Sequence, residues 1–88
     1  MNTEDKCTKA LDSVKHLLTE KKYQECYDNI NKHREWLLGL EAAIDSLCEE
    51  EKRIHSDSFD LFSIAFESLR QKNNSKLESL KSLISIKG

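Results

Sequence analysis

One apolar seam, running from residue 23 to residue 47, constrains the fold more than any other feature of this 88-residue sequence. Its members recur at alternating steps of three and four residues: Tyr23, Cys26, Ile30, His33, Leu37, Leu40, Ile44 and Leu47. That spacing keeps all of these side chains on one side of an α-helix, as at the a and d positions of a heptad. The pattern predicts one long amphipathic helix that buries its seam against other helices and continues through residues 49–53.

Composition also favours helices with short connections. The chain has no proline, two glycines and a charged share of 34%, and apolar residues nowhere alternate in the manner of a strand. We therefore predict an all-α fold without strands. The expected architecture is a three-helix antiparallel bundle or helical hairpin with coiled-coil packing, in a single domain of residues 1–88.

Three stretches are predicted to interrupt the helices. The apolar stripe of the first helix, capped by Asn2 or Thr3, ends at Leu18, and the step to Tyr23 rotates the stripe by roughly 140°. This favours a turn or kink at residues 19–22, although a continuous helix fits as well. Small polar side chains at residues 55–58 offer N-caps for a third helix that opens on Phe59. Residues 71–76 form the weakest helical stretch, where Ser75 and Glu78 fit the capping box of a short fourth helix.

Gly39 lies inside the predicted long helix, between Leu38 and Leu40. A glycine there weakens a helix by about 1 kcal/mol relative to alanine. It is either a tolerated exposed residue or a position where another helix crosses closely, and the sequence favours neither interpretation.

No set of residues predicts catalysis, a metal site or a cofactor. Cys26 and His33 are separated by about 10 Å along a helix, too far to bind one metal ion. Both are expected to pack in the seam, Cys26 as a small apolar residue and His33 bonded to a neighbouring helix. No Cys-x-x-Cys occurs, and no histidine has an acidic residue three positions before it. We predict no enzymatic activity and no cofactor.

Charge and cysteine content point to a cytoplasmic protein that binds neither nucleic acid nor membranes. The formal net charge is −2 with both signs mixed along the chain, unlike the basic footprint of nucleic-acid binders. The apolar runs are too short for membrane insertion, and the N-terminus lacks the layout of a secretory signal. Three cysteines without a pairing motif suggest free thiols in a reducing compartment.

The segment 59–69 carries more apolar residues than one helical stripe explains. Phe59, Phe62, Phe66 and Leu69 form the main stripe, whereas Leu61 and Ile64 point elsewhere on the helical wheel. A second, narrower strip on that wheel consists of Ile54, Leu61, Ala65 and Ile86. Such a helix is buried on more than one side, either by a partner protein or second copy, or because it is wedged between the other two helices. The remaining alternative is that the extra residues are scattered, exposed apolar side chains. The candidate partner-binding residues are Ile54, Leu61, Ile64 and Ala65.

Three segments, in their order along the chain, carry a family resemblance. They are Leu17-Leu18-Thr19-Glu20-Lys21-Lys22-Tyr23, Asn31-Lys32-His33-Arg34-Glu35-Trp36-Leu37-Leu38-Gly39-Leu40-Glu41 and Leu77-Glu78-Ser79-Leu80-Lys81-Ser82-Leu83-Ile84. From about Lys9 to Ile84, the chain resembles flagellar export chaperones of the FliT type, which are short cytosolic helical proteins of type III secretion.

The resemblance implies a small antiparallel helical bundle. Such a chaperone binds a helical segment of a secretion client, such as the filament-cap protein, in an apolar groove and delivers it to the export ATPase complex. We also expect a homo-oligomer. The alternatives are a structural, self-associating coiled-coil subunit and a small subunit of a larger hetero-complex, neither with enzymatic activity.

Overall fold

Five α-helices with short connections dominate the computed structural model, which describes the backbone of residues 1–86 and the side chains of residues 1–85. The helices are α1 (Thr3–Ser13), α2 (Glu20–Asn31), α3 (Trp36–Glu49), α4 (Ser56–Ser68) and α5 (Ser75–Lys81). A 3₁₀ turn spans Lys15–Leu17, and two short strands, β1 (Ile54–His55) and β2 (Ile84–Ile86), pair in parallel. The predicted all-α class is confirmed, but the described part of the chain contains five helices rather than three.

Helices α1 and α4 pack antiparallel along their length. The hydroxyls of Thr3 and Ser68 are 2.7 Å apart at one end, and the Ser58 hydroxyl donates to the carbonyl oxygen of Ser13 at 3.5 Å at the other. The apolar side chains buried on these two helices are Cys7, Ala10, Leu11, Phe62, Ala65 and Phe66. Together with Val14, which caps α1, they form one side of the hydrophobic core, whose burial from water drives folding.

The predicted continuous helix over residues 23–47 is wrong, because the chain reverses direction at residues 32–35. The amides of Lys32 and His33 both donate to the carbonyl oxygen of Asp28, at 2.8 and 2.9 Å, and Arg34 adopts a left-handed conformation with φ 56°. This ending satisfies the last carbonyl groups of α2 without a glycine. His33 is consequently exposed in the turn and not packed in a seam.

The two halves of the seam face each other across the α2–α3 hairpin. At Gly39 the two helices approach closely, since a β-carbon at this position would lie 2.7 Å from Cγ1 of Ile30 and 3.0 Å from the carbonyl oxygen of Cys26. Gly39 is buried, so it allows a close helix crossing and is not a tolerated exposed residue.

Helix α3 ends at Glu49, and the predicted continuation through residues 49–53 is wrong. The amide of Lys52 donates to Leu47 O at 2.9 Å and that of Glu51 to Cys48 O at 3.1 Å, while Glu51 has φ 50°. This pair of bonds is the Schellman motif, which terminates a helix with a left-handed residue. The same motif ends α4, with Arg70 as its left-handed residue.

Helices α2, α4 and α5 begin within a few residues of the positions predicted from the sequence, but not at those positions. Thr19 caps α2 through its hydroxyl, which accepts from the amide of Lys22 at 3.1 Å. A break between the first two helices exists, but it lies at residues 14–19 and not at 19–22, because α2 already begins at Glu20. Helix α4 begins at Ser56, three residues before the predicted opening on Phe59. The short helix after residues 71–76 exists as α5, but Asn74 rather than Ser75 caps it.

Strands β1 and β2 contradict the expectation of a fold without strands. The amide of Ile54 donates to Leu83 O at 3.1 Å, and Ile54 pairs with Ile84 in the register. Strands of two and three residues are too short to show an alternating pattern. Through β2, the end of the described chain is joined to the segment that precedes α4.

Helix α5 and strand β2 complete the core from the side of α3. Leu77, Leu80 and Leu83 are buried, and the ammonium of Lys76 contacts the carboxylate of Asp45 at 2.6 Å. None of the helices within residues 1–86 is both long enough and apolar enough to cross a membrane.

Candidate protein-binding surface

Two of the predicted partner-binding residues lie in the core. Ile54 is 1% exposed and Ala65 is 0% exposed, so neither contributes to the surface of this chain. Ile54 precedes α4 and belongs to β1, which removes it from the helical wheel on which it was grouped with Leu61. Ala65 lies on the buried side of α4 with Phe62 and Phe66. The side chain of Ile86, the remaining member of that strip, lies outside the described residues.

The other two predicted residues do reach the surface. Ile64 is 49% exposed, whereas Leu61 is half-buried and packs against the edge of the core. At about 100° per residue, the two side chains lie roughly 60° apart on the wheel of α4. They are therefore neighbours on the side of α4 that faces away from the buried Phe62 and Phe66.

We define the α4 outer face as Asp57, Asp60, Leu61, Ile64 and Glu67. The four residues other than Leu61 are exposed, and their steps of three, four and three residues follow the period of a helix. The face exists because the opposite side of α4, with Ser58, Phe62 and Phe66, is buried in the core. It thus combines two apolar side chains with three carboxylates.

The N-terminus of α4 orders one end of this face. His55 is the N-cap residue, and its Nδ1 atom accepts a hydrogen bond from the amide of Asp57 at 3.0 Å. The Asp57 carboxylate lies 3.5 Å from the same nitrogen. Asp60 and Glu67, by contrast, form no ion pair with any residue whose side chain the structure describes.

Leu38 is a second exposed apolar residue, and the sequence did not lead us to predict it at the surface. It is 50% exposed and lies in the first turn of α3, after the half-buried Trp36 and Leu37. The run of three consecutive large apolar residues at positions 36–38 was the available signal, because a single helical stripe cannot include all three. Glu35 and Glu41 lie three residues before and after Leu38, but Glu35 is the N-cap residue of α3 and Glu41 accepts a hydrogen bond from Asn74 at 3.1 Å.

The cysteine thiols are not arranged for nucleophilic chemistry. Burial raises the pKa of Cys7 and of Cys26 to about 11, which keeps both thiols protonated at neutral pH. Cys48 is half-buried, and burial followed by the charge of Asp45 also raises its pKa. Among residues 1–85, no group of three or more His, Cys, Asp or Glu side chains is placed to hold a metal ion.

A shallow cleft beside α1 and α2 is occupied by internal contacts. The Tyr23 hydroxyl donates to Asp12 at 2.6 Å, and the ammonium of Lys15 lies 4.6 Å from the centre of the Tyr23 ring. Burial, reinforced by the bond to Asp12, raises the pKa of Tyr23 to about 12. These groups brace α1 against the N-terminal part of α2.

Comparison with known proteins adds no relative. No family model, curated protein or solved structure matches the chain. The α4 outer face and the resemblance described above are therefore the two features that bear on function.

Proposed function

We propose that this chain is a non-catalytic protein-binding domain, and that it binds a helical segment of a protein client through the α4 outer face. The export chaperones that the sequence resembles provide the class: a cytoplasmic chaperone for a secretion client, such as the filament-cap protein, with the export ATPase complex as a further partner. The observation that carries the proposal is the half-exposed Ile64 at the centre of α4, with Leu61 beside it.

The chemistry of the face supports a helical client. Single exposed apolar residues are common on protein surfaces, but Ile64 and Leu61 together present one apolar anchor framed by charged residues. An amphipathic client helix supplies apolar residues at steps of three and four, and these can cover such an anchor. Since fully burying one isoleucine contributes about 1.5–3 kcal/mol, covering the exposed half of Ile64 contributes roughly 1 kcal/mol.

The alternative of a structural coiled-coil subunit has less support. The seam that suggested it is divided between α2 and α3, and its central residues Cys26, Ile30, Leu40 and Ile44 are buried inside a single chain. A homo-oligomer formed through the α4 outer face is the competing outcome, and light scattering measures it directly.

The test is a comparison of Ile64→Lys with Leu38→Lys. Both residues are helical and about half exposed, so neither lysine should change the helix content in far-UV circular dichroism. Each protein is immobilised and used to capture secretion clients from the source organism, with the captured proteins identified by mass spectrometry. Ile64→Lys should lose the client whereas Leu38→Lys keeps it. Retention by both variants would overturn the proposal, and so would a wild-type chain that captures only itself.

A further inference from the structure

We infer that the partner of the α4 outer face is a basic amphipathic helix, with lysine or arginine one turn on either side of an apolar anchor. This inference rests on the proposed function and specifies the client's chemistry. The segment Ser56–Ser68 contains three carboxylates, those of Asp57, Asp60 and Glu67, and no lysine, arginine or histidine. A surface of one charge sign favours a partner of the opposite sign.

Glu67 is the residue least explained by the stability of the helix. Asp57 lies in the first turn of α4, where the helix dipole favours a negative charge, and Asp60 follows one turn later. Glu67 instead lies in the last turn, where the dipole disfavours a carboxylate. Arg70, one turn further on, forms no ion pair with it in the structure. Glu67 therefore opposes the dipole of α4 and forms no described ion pair, although Arg70 and Lys72 line a cleft next to it.

The arrangement around Ile64 defines the spacing that a partner needs. Asp60 lies four residues before Ile64 and Glu67 three residues after it, so the carboxylates are about 6 Å and 4.5 Å away along the helix axis. A client helix with an apolar residue over Ile64 and cations three or four positions before and after it matches both carboxylates. Exposed ion pairs of this kind weaken as salt screens them.

Three synthetic helical peptides with the same leucine stripe test the inference. Their flanking positions carry lysine, glutamine or glutamate, and each is titrated into the ¹⁵N-labelled protein while amide shifts and the Kd are recorded. The lysine peptide should shift the amides of the α4 outer face and bind roughly 2- to 30-fold tighter than the glutamine peptide, as two exposed ion pairs predict. This preference should shrink when the salt concentration rises.

Charge reversal supplies the decisive variant. The double variant Asp60→Lys/Glu67→Lys should prefer the glutamate peptide. The control, Glu49→Lys/Glu78→Lys, makes the same change of net charge at exposed sites on α3 and α5. It should still prefer the lysine peptide. Equal binding of all three peptides at Ile64 would overturn the basic partner and leave the proposed docking face intact. If no peptide shifts the amides of α4, both the inference and the proposed function fail.

Discussion

Replacing Gly39 with alanine should destabilise the protein, although alanine is the better helix former. The added methyl group would lie 2.7 Å from Cγ1 of Ile30 and 3.0 Å from the carbonyl oxygen of Cys26, whereas non-bonded carbon atoms prefer separations of about 3.5–4.0 Å. Ile30 is completely buried and the carbonyl group belongs to the backbone of α2. Relief of the contact therefore requires α2 and α3 to move apart.

Two opposing terms set the magnitude of this effect. Alanine gains about 1 kcal/mol over glycine in the interior of a helix. An extra methyl group in a closely packed core typically costs about 1–3 kcal/mol. We expect a net loss of about 1 kcal/mol in the free energy of unfolding, which lowers the Tm by about 4–8 °C in a domain of this size.

Urea unfolding of a double-mutant cycle measures the effect. The variants are Gly39→Ala, Ile30→Ala and the combination of the two, followed by circular dichroism. Ile30→Ala alone should cost about 2–5 kcal/mol because it leaves a cavity. In that background Gly39→Ala should cost less, since the methyl group then has space. A more stable Gly39→Ala single variant would refute the close crossing, and an equal loss in both backgrounds would refute Ile30 as its cause.

Three further predictions concern helix ends and thiols. The substitutions Arg70→Gly and Glu51→Gly should each raise the free energy of unfolding by about 0.5–1 kcal/mol, because both residues have positive φ and glycine adopts this conformation without strain. An unchanged midpoint of urea unfolding would contradict the assignment of Schellman motifs at these positions. The native protein should bind about one equivalent of maleimide, at the half-buried Cys48, and all three thiols should react only in denaturant; rapid labelling of Cys7 or Cys26 in native buffer would show that the core opens. The free energy of unfolding should fall as the pH rises from about 9 to about 11. The thiols of Cys7 and Cys26 ionise at the ordinary pKa of 9.0 in the unfolded chain but near 11 in the folded protein. A free energy of unfolding that stays constant across this range, measured with reductant present, would contradict their burial.

The core was more predictable from the sequence than the path of the chain through it. Cys26, Ile30, Leu40, Ile44 and Leu47 belong to the predicted seam, and all are buried. Periodicity identifies which residues avoid water, but a hairpin buries the same stripe as a continuous helix does when its two halves face each other. Hydrophobic spacing alone therefore cannot distinguish the two arrangements.

The missed helix ends have a common physical cause. Arg34 and Glu51 provide the left-handed residues at the two breaks that the sequence did not indicate, and glycine or asparagine is the usual signal for such an ending. The breaks that were predicted begin with side-chain caps, as at Thr19, and these are readable from residue type. N-termini of helices were thus more visible in this sequence than C-termini.

The difficulty of locating helix ends also determined which part of the binding surface could be predicted. Ile54 was assigned to a helical wheel on the assumption that α4 extended past His55, and the N-cap at His55 ends that wheel before Ile54. Ile64, which lies well inside α4, was placed correctly as a residue outside the main stripe. Its carboxylate neighbours could not be predicted as part of the surface, because a single sequence does not show which acids lack an internal partner. The structure shows that Asp45 is paired with Lys76, whereas Asp60 and Glu67 form no described ion pair. These two unpaired carboxylates make the α4 outer face the surface on which a basic client can be tested.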